Sequence, residues 1–119
     1  FFLFFVVSCA NERALVSGKI VTATSDLTQP VEGAEVKIQV QGDDRFTKTF
    51  SDKEGKYTLE VIIDDAIEKL YPPQNGENSD LRSIPSVLFV TKQGYKDVAF
   101  PINIQIRFET TQDVTLEPE

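Results

Sequence analysis

One stretch of the chain alternates strictly between apolar and polar side chains, and this alternation constrains the fold more than any other feature. Ala34, Val36, Ile38 and Val40 are apolar, and a polar residue follows each of them. Successive side chains of a β-strand point to opposite faces, so the pattern predicts a strand with one buried face. In a helix the same apolar residues would be scattered around the circumference.

The same period of two recurs along the rest of the chain. Further strands are predicted from Leu15 to Thr22 and over Arg45–Ser51, Tyr57–Val61, Val87–Thr91, Val98–Phe108 and Thr110–Leu116. The alternation from Val98 to Phe108 covers two strands or one long bent strand, and Pro101 marks an edge or a break because it cannot donate to a ladder. The sequence therefore predicts an all-β fold, an antiparallel seven-stranded Greek-key β-sandwich, in one domain over residues 15–118.

Three connections interrupt the alternating pattern. The turn Asp52–Gly55 is predicted to need a positive φ at Gly55, whereas Ser25–Gly33 is predicted to be a loop. The segment Asp64–Pro85 loses the alternation and contains one helix-like turn, Asp65–Leu70. A connection of this length is usually either functional or disordered in a compact domain.

Charge and composition exclude several functions. The formal net charge is -7, and an acidic surface repels phosphate backbones, so no nucleic-acid partner is expected. The chain has no histidine, which removes a Ser-His-Asp triad, a Cys-His pair and an imidazole zinc site. No cofactor is expected.

The first residues have a different character from the rest of the chain. Residues 1–7 are wholly apolar, but a bilayer core needs about 20 apolar residues, so this run is too short to span a membrane. It fits the hydrophobic core of a secretory signal, and a short basic segment is expected ahead of Phe1. We therefore interpret residues 1–8 as a signal-peptide remnant and residues 9–14 as a tether. The alternative is a buried N-terminal strand with an incidental cysteine.

The junction Val6-Val7-Ser8-Cys9 resembles the lipobox of bacterial lipoproteins. The resemblance implies that Cys9 is the lipidation site and becomes the acylated N-terminus of the mature protein. Cys9 is the single cysteine, so it has no disulfide partner, and lipidation explains its presence. Ala10 follows it, and by the same resemblance this favours the outer membrane, with the periplasmic or surface face left open.

Four short motifs resemble the carboxypeptidase regulatory-like domain, a transthyretin-like (prealbumin-like) β-sandwich. They are Val16-Ser17-Gly18-Lys19-Ile20, Gly33-Ala34-Glu35-Val36, Ser51-Asp52-Lys53-Glu54-Gly55-Lys56-Tyr57 and Gln93-Gly94-Tyr95. The resemblance covers about residues 15 to 116, and implies an accessory module found on exported enzymes and outer-membrane receptors. The fold also hosts a histidine-dependent hydrolase and iron dioxygenases with histidine ligands. With no histidine here, the chain is not expected to be an enzyme.

Three side chains are candidates for a ligand site. Leu70, Tyr71 and Tyr95 could form an aromatic platform for a sugar or a peptide, since a tyrosine beside prolines in a long loop is a plausible binding element. In the alternative interpretation, Leu70 and Tyr71 fold back and cap the open end of the sandwich.

Acidic residues suggest two further chemistries, and we favour a structural role for both groups. Calcium would need about six to eight converging oxygens, whereas Asp43, Asp44, Asp52 and Glu54 lie in hairpin turns, where carboxylates are usually solvated. No metal site is predicted. Glu68 with Asp64 or Asp65 could mimic the carboxylate pair of a hydrolase, but aspartates at the start of a helical turn suit the helix dipole.

These observations predict a non-catalytic, lipid-anchored cell-envelope protein whose β-sandwich acts as an accessory or interaction module. The expected partners are the membrane, through the N-terminal lipid, and a protein of the envelope. The alternative is a glycan- or peptide-binding lipoprotein that uses the loop of residues 64–85.

Overall fold

The computed structural model describes residues 12–24, 27–72 and 83–119, and these residues form nine strands and one short helix. In chain order the strands are β1 (Glu12–Thr24), β2 (Leu27–Pro30), β3 (Glu35–Val40), β4 (Thr47–Phe50), β5 (Lys56–Ile63), β6 (Ser83–Thr91), β7 (Val98–Gln105), β8 (Glu109–Thr111) and β9 (Val114–Leu116). Helix α1 (Asp65–Leu70) lies between β5 and β6.

The strands form two sheets that face each other. One sheet has the order β4-β3-β6-β7 and is antiparallel throughout. The other is built on β1, which pairs antiparallel with β2 and β5 and parallel with β8 and β9. The predicted β-sandwich is therefore confirmed.

The core lies between the sheets and consists of the alternate side chains that the sequence pattern marks. On β5 every second residue is buried, and β3 and β6 show the same pattern. The largest fully buried side chains are Ile20, Ile38, Leu59, Ile84, Leu88, Ile104, Ile106 and Leu116. Burial of these apolar groups is the main force that holds the two sheets together.

The sheet built on β1 contains more strand than the alternation predicts. Strand β1 begins at Glu12 rather than Leu15, because Glu12 and Arg13 continue the ladder opposite Ile63 and Ile62. Strand β2 lies within the predicted loop Ser25–Gly33. All its residues are exposed, so it pairs with β1 through the backbone without leaving an apolar pattern in the sequence.

The predicted alternation from Val98 to Phe108 is wrong at its end. Strand β7 ends at Gln105, and Arg107 adopts a φ of 71°, which turns the chain towards β8. The turn leaves Phe108 46% exposed instead of inward. The prediction for Pro101 is confirmed, since it lies in β7, an edge strand.

The predicted helical turn and the predicted turn glycine are both confirmed. Helix α1 covers Asp65–Leu70, and the Asp64 carboxylate caps it by accepting a hydrogen bond from the Ile67 N–H at 3.2 Å. Gly55 has a φ of 81°. Among residues 12–24, 27–72 and 83–119 no helix has the length and apolar character needed to cross a membrane.

Several predicted features lie outside the described residues. They are the signal segment 1–8, Cys9 with Ala10, and residues 73–82 of the long loop.

Candidate functional site

The structure brings two of the three predicted ligand residues together, beside the turn that follows β3. Tyr71 is half-buried against the core, and its hydroxyl donates to the Gln41 carbonyl oxygen at 2.6 Å. Leu70 is 44% exposed, and an added Cβ on Gly42 would lie 3.4 Å from its side chain. Both residues therefore lie against one end of the sandwich.

Tyr95 lies near the other end of β6. Gln41 donates to the Pro85 carbonyl oxygen near the start of β6, whereas Tyr95 follows its end and forms an isolated bridge with Pro118. About six residues of extended strand separate Pro85 from the end of β6, which corresponds to about 20 Å. The structure does not bring Tyr95 to Leu70 and Tyr71.

The acidic residues weighed as calcium ligands occupy different connections. Asp43 and Asp44 precede β4, whereas Asp52 and Glu54 follow it. The Asp52 carboxylate accepts hydrogen bonds from the N–H groups of Glu54 and Lys56, both at 2.9 Å, and so organises its own turn. In the described part of the chain no three acidic or cysteine side chains are grouped to hold a metal ion.

A cleft of about 410 Å³ opens between β4 and β5, the neighbouring edges of the two sheets. Its floor is apolar and comes from β3, β5 and α1: Ile38, Val40, Val61 and Ile67. Phe46 and Ile62, which are 50% and 46% exposed, lie at its mouth. A concave site of this size, with an apolar floor and a few polar groups, is typical of ligand pockets.

Arg45 joins two acidic residues on the wall of the cleft. Its Nη1 and Nη2 donate to the two carboxylate oxygens of Asp64 at 2.6 and 3.2 Å, and its Nε donates to Asp43 at 3.0 Å. The two-pronged contact with Asp64 has the geometry of the stronger arginine–carboxylate pairs. Arg45 thereby links the β3–β4 connection to the start of α1.

The same contacts keep the carboxyl groups of Asp43 and Asp64 ionised. Hydrogen bonding to Arg45 lowers the pKa of Asp64 to about 2 and also lowers the pKa of Asp43. Both carboxylates therefore stay ionised near neutral pH, and Asp64 is unsuited to donate a proton beside Glu68.

A second surface covers the outer side of the four-stranded sheet. We call it the aromatic face, and define it by Phe46, Phe50, Phe89, Lys37 and Lys48. The rings of Phe46 and Phe89 meet edge to face, with centroids 5.9 Å apart. Phe46 and Phe50 are 50% and 55% exposed, so the aromatic face presents apolar area to water.

The lysines of the aromatic face lie over these rings. Lys37 Nζ is 4.9 Å from the Phe46 ring centroid, and Lys48 Nζ is 6.0 Å from that of Phe50. Glu35 lies 3.9 and 3.7 Å from the same two ammonium groups. The face thus combines aromatic rings with a local excess of positive charge, in a chain whose net charge is -7.

Sequence reasoning missed both surfaces. A usable signal lies in the predicted strand Arg45–Ser51, where Phe46, Lys48 and Phe50 share one side and threonines occupy the other. On the edge strand β4 the threonines point inward, so the phenylalanine rings face outward. The cleft leaves no local signal in the sequence, because its floor combines residues of β3, β5 and α1, which are separate along the chain.

Comparison with solved structures shows that this fold occurs in proteins of different kinds. The minor pilin GBS52 of Streptococcus agalactiae superposes with a TM-score of 0.62 at 11% identity, over 92% of this chain and 46% of the pilin. The 3-chlorocatechol 1,2-dioxygenase of Rhodococcus opacus gives 0.59 at 15% identity, over 92% and 61% of the two chains. The catechol 1,2-dioxygenase of Acinetobacter radioresistens gives 0.58 at 12%, over 94% and 54%.

These similarities define the class of protein as a β-sandwich domain and go no further. The chain spans about half the length of the structures it matches. No protein-family profile matches it, and no curated protein matches it.

The expectation that the chain is not an enzyme needs correction. Catechol 1,2-dioxygenases share its sandwich, so the fold does not separate it from enzymes. At 12 to 15% identity this similarity concerns the fold alone and transfers no catalytic residue.

Proposed function

We propose that this chain is a lipid-anchored protein of the bacterial cell envelope, placed at the outer membrane, whose β-sandwich binds a protein partner. The observation that carries the contact function is the aromatic face, where Phe46 and Phe50 are half exposed and a lysine lies over each ring. Apolar area removed from water stabilises a complex by about 25 cal/mol per Å². Aromatic side chains are also enriched in protein interfaces.

Two sequence resemblances support the finer parts of this proposal. The lipobox-like junction before Cys9 supports the anchor, and β1 begins soon after it at Glu12. The carboxypeptidase regulatory-like motifs support an accessory role. Among their residues, Gly18 and Gly55 lie where an added Cβ would meet neighbouring backbone, and Gly18 is the partner of Tyr57 across β1 and β5. The minor pilin with the same fold offers a precedent for such a sandwich in a pilin.

Replacing the lipidated residue tests the anchor. The chain is expressed in a bacterial host behind a basic start segment, as wild type, Cys9→Ser and Ser8→Ala. We expect wild type and Ser8→Ala to incorporate labelled palmitate and to sediment with membranes, because both keep the thiol after a small residue. Cys9→Ser is expected to lose the label and to become soluble. Membrane sedimentation of Cys9→Ser with label would contradict the anchor.

Photo-crosslinking from the aromatic face tests the contact function. A photoreactive residue at position 50 is compared with one at position 115 on β9, in the other sheet. We expect a protein adduct from position 50 alone, weakened by Lys48→Glu because this removes a positive charge from the face. Lys96→Glu makes the same charge change beside Glu117 and should leave the adduct intact. Equal adducts from both positions would contradict the proposal.

The second candidate function is binding of a glycan or peptide through the segment 64–85. The observation that favours it is the cleft, because Asp64 and Ile67, at the start of this segment, form part of its wall. Its volume of about 410 Å³ falls in the range of ligand pockets.

A further inference from the structure

Strand β5 is the sheet edge best suited to receive another strand. It is eight residues long, contains no proline, and pairs with β1 alone among the described strands. The long edge strand β7 is interrupted by Pro101, and β2, β4, β8 and β9 have only three or four residues each. A long, regular edge presents hydrogen-bonding groups that can pair with an extended chain.

The register shows which groups of β5 point away from β1. The Ile20 N–H donates to the Gly55 carbonyl oxygen at 2.7 Å, one step beyond the ladder pair of Lys19 and Lys56, so the position of Ile20 and Gly55 is a hydrogen-bonded one. Hydrogen-bonded pairs alternate with non-bonded ones. The N–H and C=O groups of Thr58, Glu60 and Ile62 therefore point away from β1 at the open edge of β5, and the side chains of the same residues are exposed on the outer face of the sheet.

The cleft continues from this edge. Glu60, Val61 and Ile62 form one of its walls, and its floor is the apolar end of the core. A strand paired with β5 would point alternate side chains to the core side of the sheet, which is where the cleft lies. The geometry therefore suits a segment whose inward residues are apolar.

The charges of the cleft select the other residues of that segment. Its lining contains three carboxylates, Asp43, Glu60 and Asp64, and one guanidinium, Arg45. Arg13 contacts Glu60 at 2.9 Å from outside the cleft, but both side chains are about half exposed, and such pairs are weak. Asp43 and Asp64 are both bound by Arg45, so Glu60 is the carboxylate that favours basic residues at the outward positions of the segment.

We infer that the β5 edge and the adjoining cleft bind an extended segment of a protein partner in which apolar residues alternate with lysine or arginine. The segment adds to the sheet as a further strand, its apolar residues fill the cleft, and its basic residues lie on the outer face of the sheet beside Glu60. This inference goes beyond the aromatic face, rests on the second candidate function, and names the class of peptide.

The probe is a short capped peptide in which valine and lysine alternate, titrated into the full chain. We expect the amide protons of Thr58, Glu60 and Ile62 to become protected from exchange in NMR spectra. A peptide with glutamate in place of lysine should bind at least about tenfold more weakly, as should one with the valines and lysines in separate blocks.

Proline variants locate the contact. Glu60→Pro removes an outward N–H from β5 and should weaken binding about tenfold. Asn103→Pro is the matched control, since Asn103 lies two residues after Pro101 on the β7 edge and shares its orientation. If Glu60→Pro does not unfold cooperatively, Glu60→Lys replaces it and should weaken binding through charge.

Three results would overturn the inference. Peptide binding that neither Glu60 variant weakens would place the peptide elsewhere and leave the second candidate function standing. Absence of binding would remove the inference and leave the glycan form of the second candidate function standing, while the anchor and the aromatic face are tested by their own experiments. A dimer that forms without peptide and is lost in Glu60→Pro, seen by analytical ultracentrifugation, would make a second copy the occupant.

Discussion

The hydroxyl group of Tyr57 is a single polar group in a largely apolar setting. The side chain is buried, and the hydroxyl donates to the Gln112 carbonyl oxygen at 2.6 Å. Burial, and the negative charge of Asp113 to a smaller extent, raise the pKa of Tyr57 to about 12. The fold therefore requires the neutral phenol, and this gives stability a pH dependence.

We predict a loss of stability in alkaline solution that depends on Tyr57. In the unfolded chain its phenol ionises near pH 10, about two units below its folded pKa. The contribution is complete below about pH 10 and is lost as the pH rises towards 12. Urea unfolding across this range should show the loss in wild type and a smaller one in Tyr57→Phe. That variant should be about 1 kcal/mol less stable at neutral pH, because it lacks the hydrogen bond. Identical pH profiles would contradict the prediction.

Strand β1 is the centre of one sheet, and other parts of the chain approach its backbone closely. The Gln112 N–H donates to the Ser17 carbonyl oxygen at 2.7 Å. A Cβ added to Gly18 would lie 1.9 Å from the Gln112 oxygen and 3.0 Å from the Tyr57 ring. The glycine of the first motif is thus explained by the approach of the connection between β8 and β9.

We predict that Gly18→Ala destabilises the protein by about 3 kcal/mol, because the connection between β8 and β9 must shift to make room. Gly94→Ala is the matched control. An added Cβ there meets nothing within 4 Å, so only the strain of its φ of 91° remains, worth about 1 kcal/mol. Free energies of unfolding in urea check both values. Equal losses would show that the close approach at Gly18 is not limiting.

Secondary-structure elements are predictable where a local pattern in the sequence marks them. Helix α1 was predicted over its full length, because Asp64 and Asp65 begin it and the strand alternation stops there. Strand β2 was missed because none of its side chains is buried. Phe108 was misplaced because the backbone turn at Arg107 interrupts a run that looks continuous in the sequence.

At the scale of the whole molecule, the two candidate surfaces meet at Phe46. This residue belongs to the aromatic face through Phe89 and also lies at the mouth of the cleft. A protein partner could cover the aromatic face while its extended segment enters the cleft. Pairing of the segment with β5 would then extend the sheet built on β1.

Local patterns in the sequence predict the sandwich, the inward face of the main strands and the turn at Gly55, and they mark Pro101 as an edge or a break. Each of these follows from the conformation of a few neighbouring residues, so a local pattern contains it. Three features appear only in the folded structure: β8 and β9 run parallel to β1, Tyr71 and Tyr95 lie far apart, and Arg45 meets Asp64. These features join residues distant along the chain, and they depend on which strand edges pair and how the two sheets close on each other.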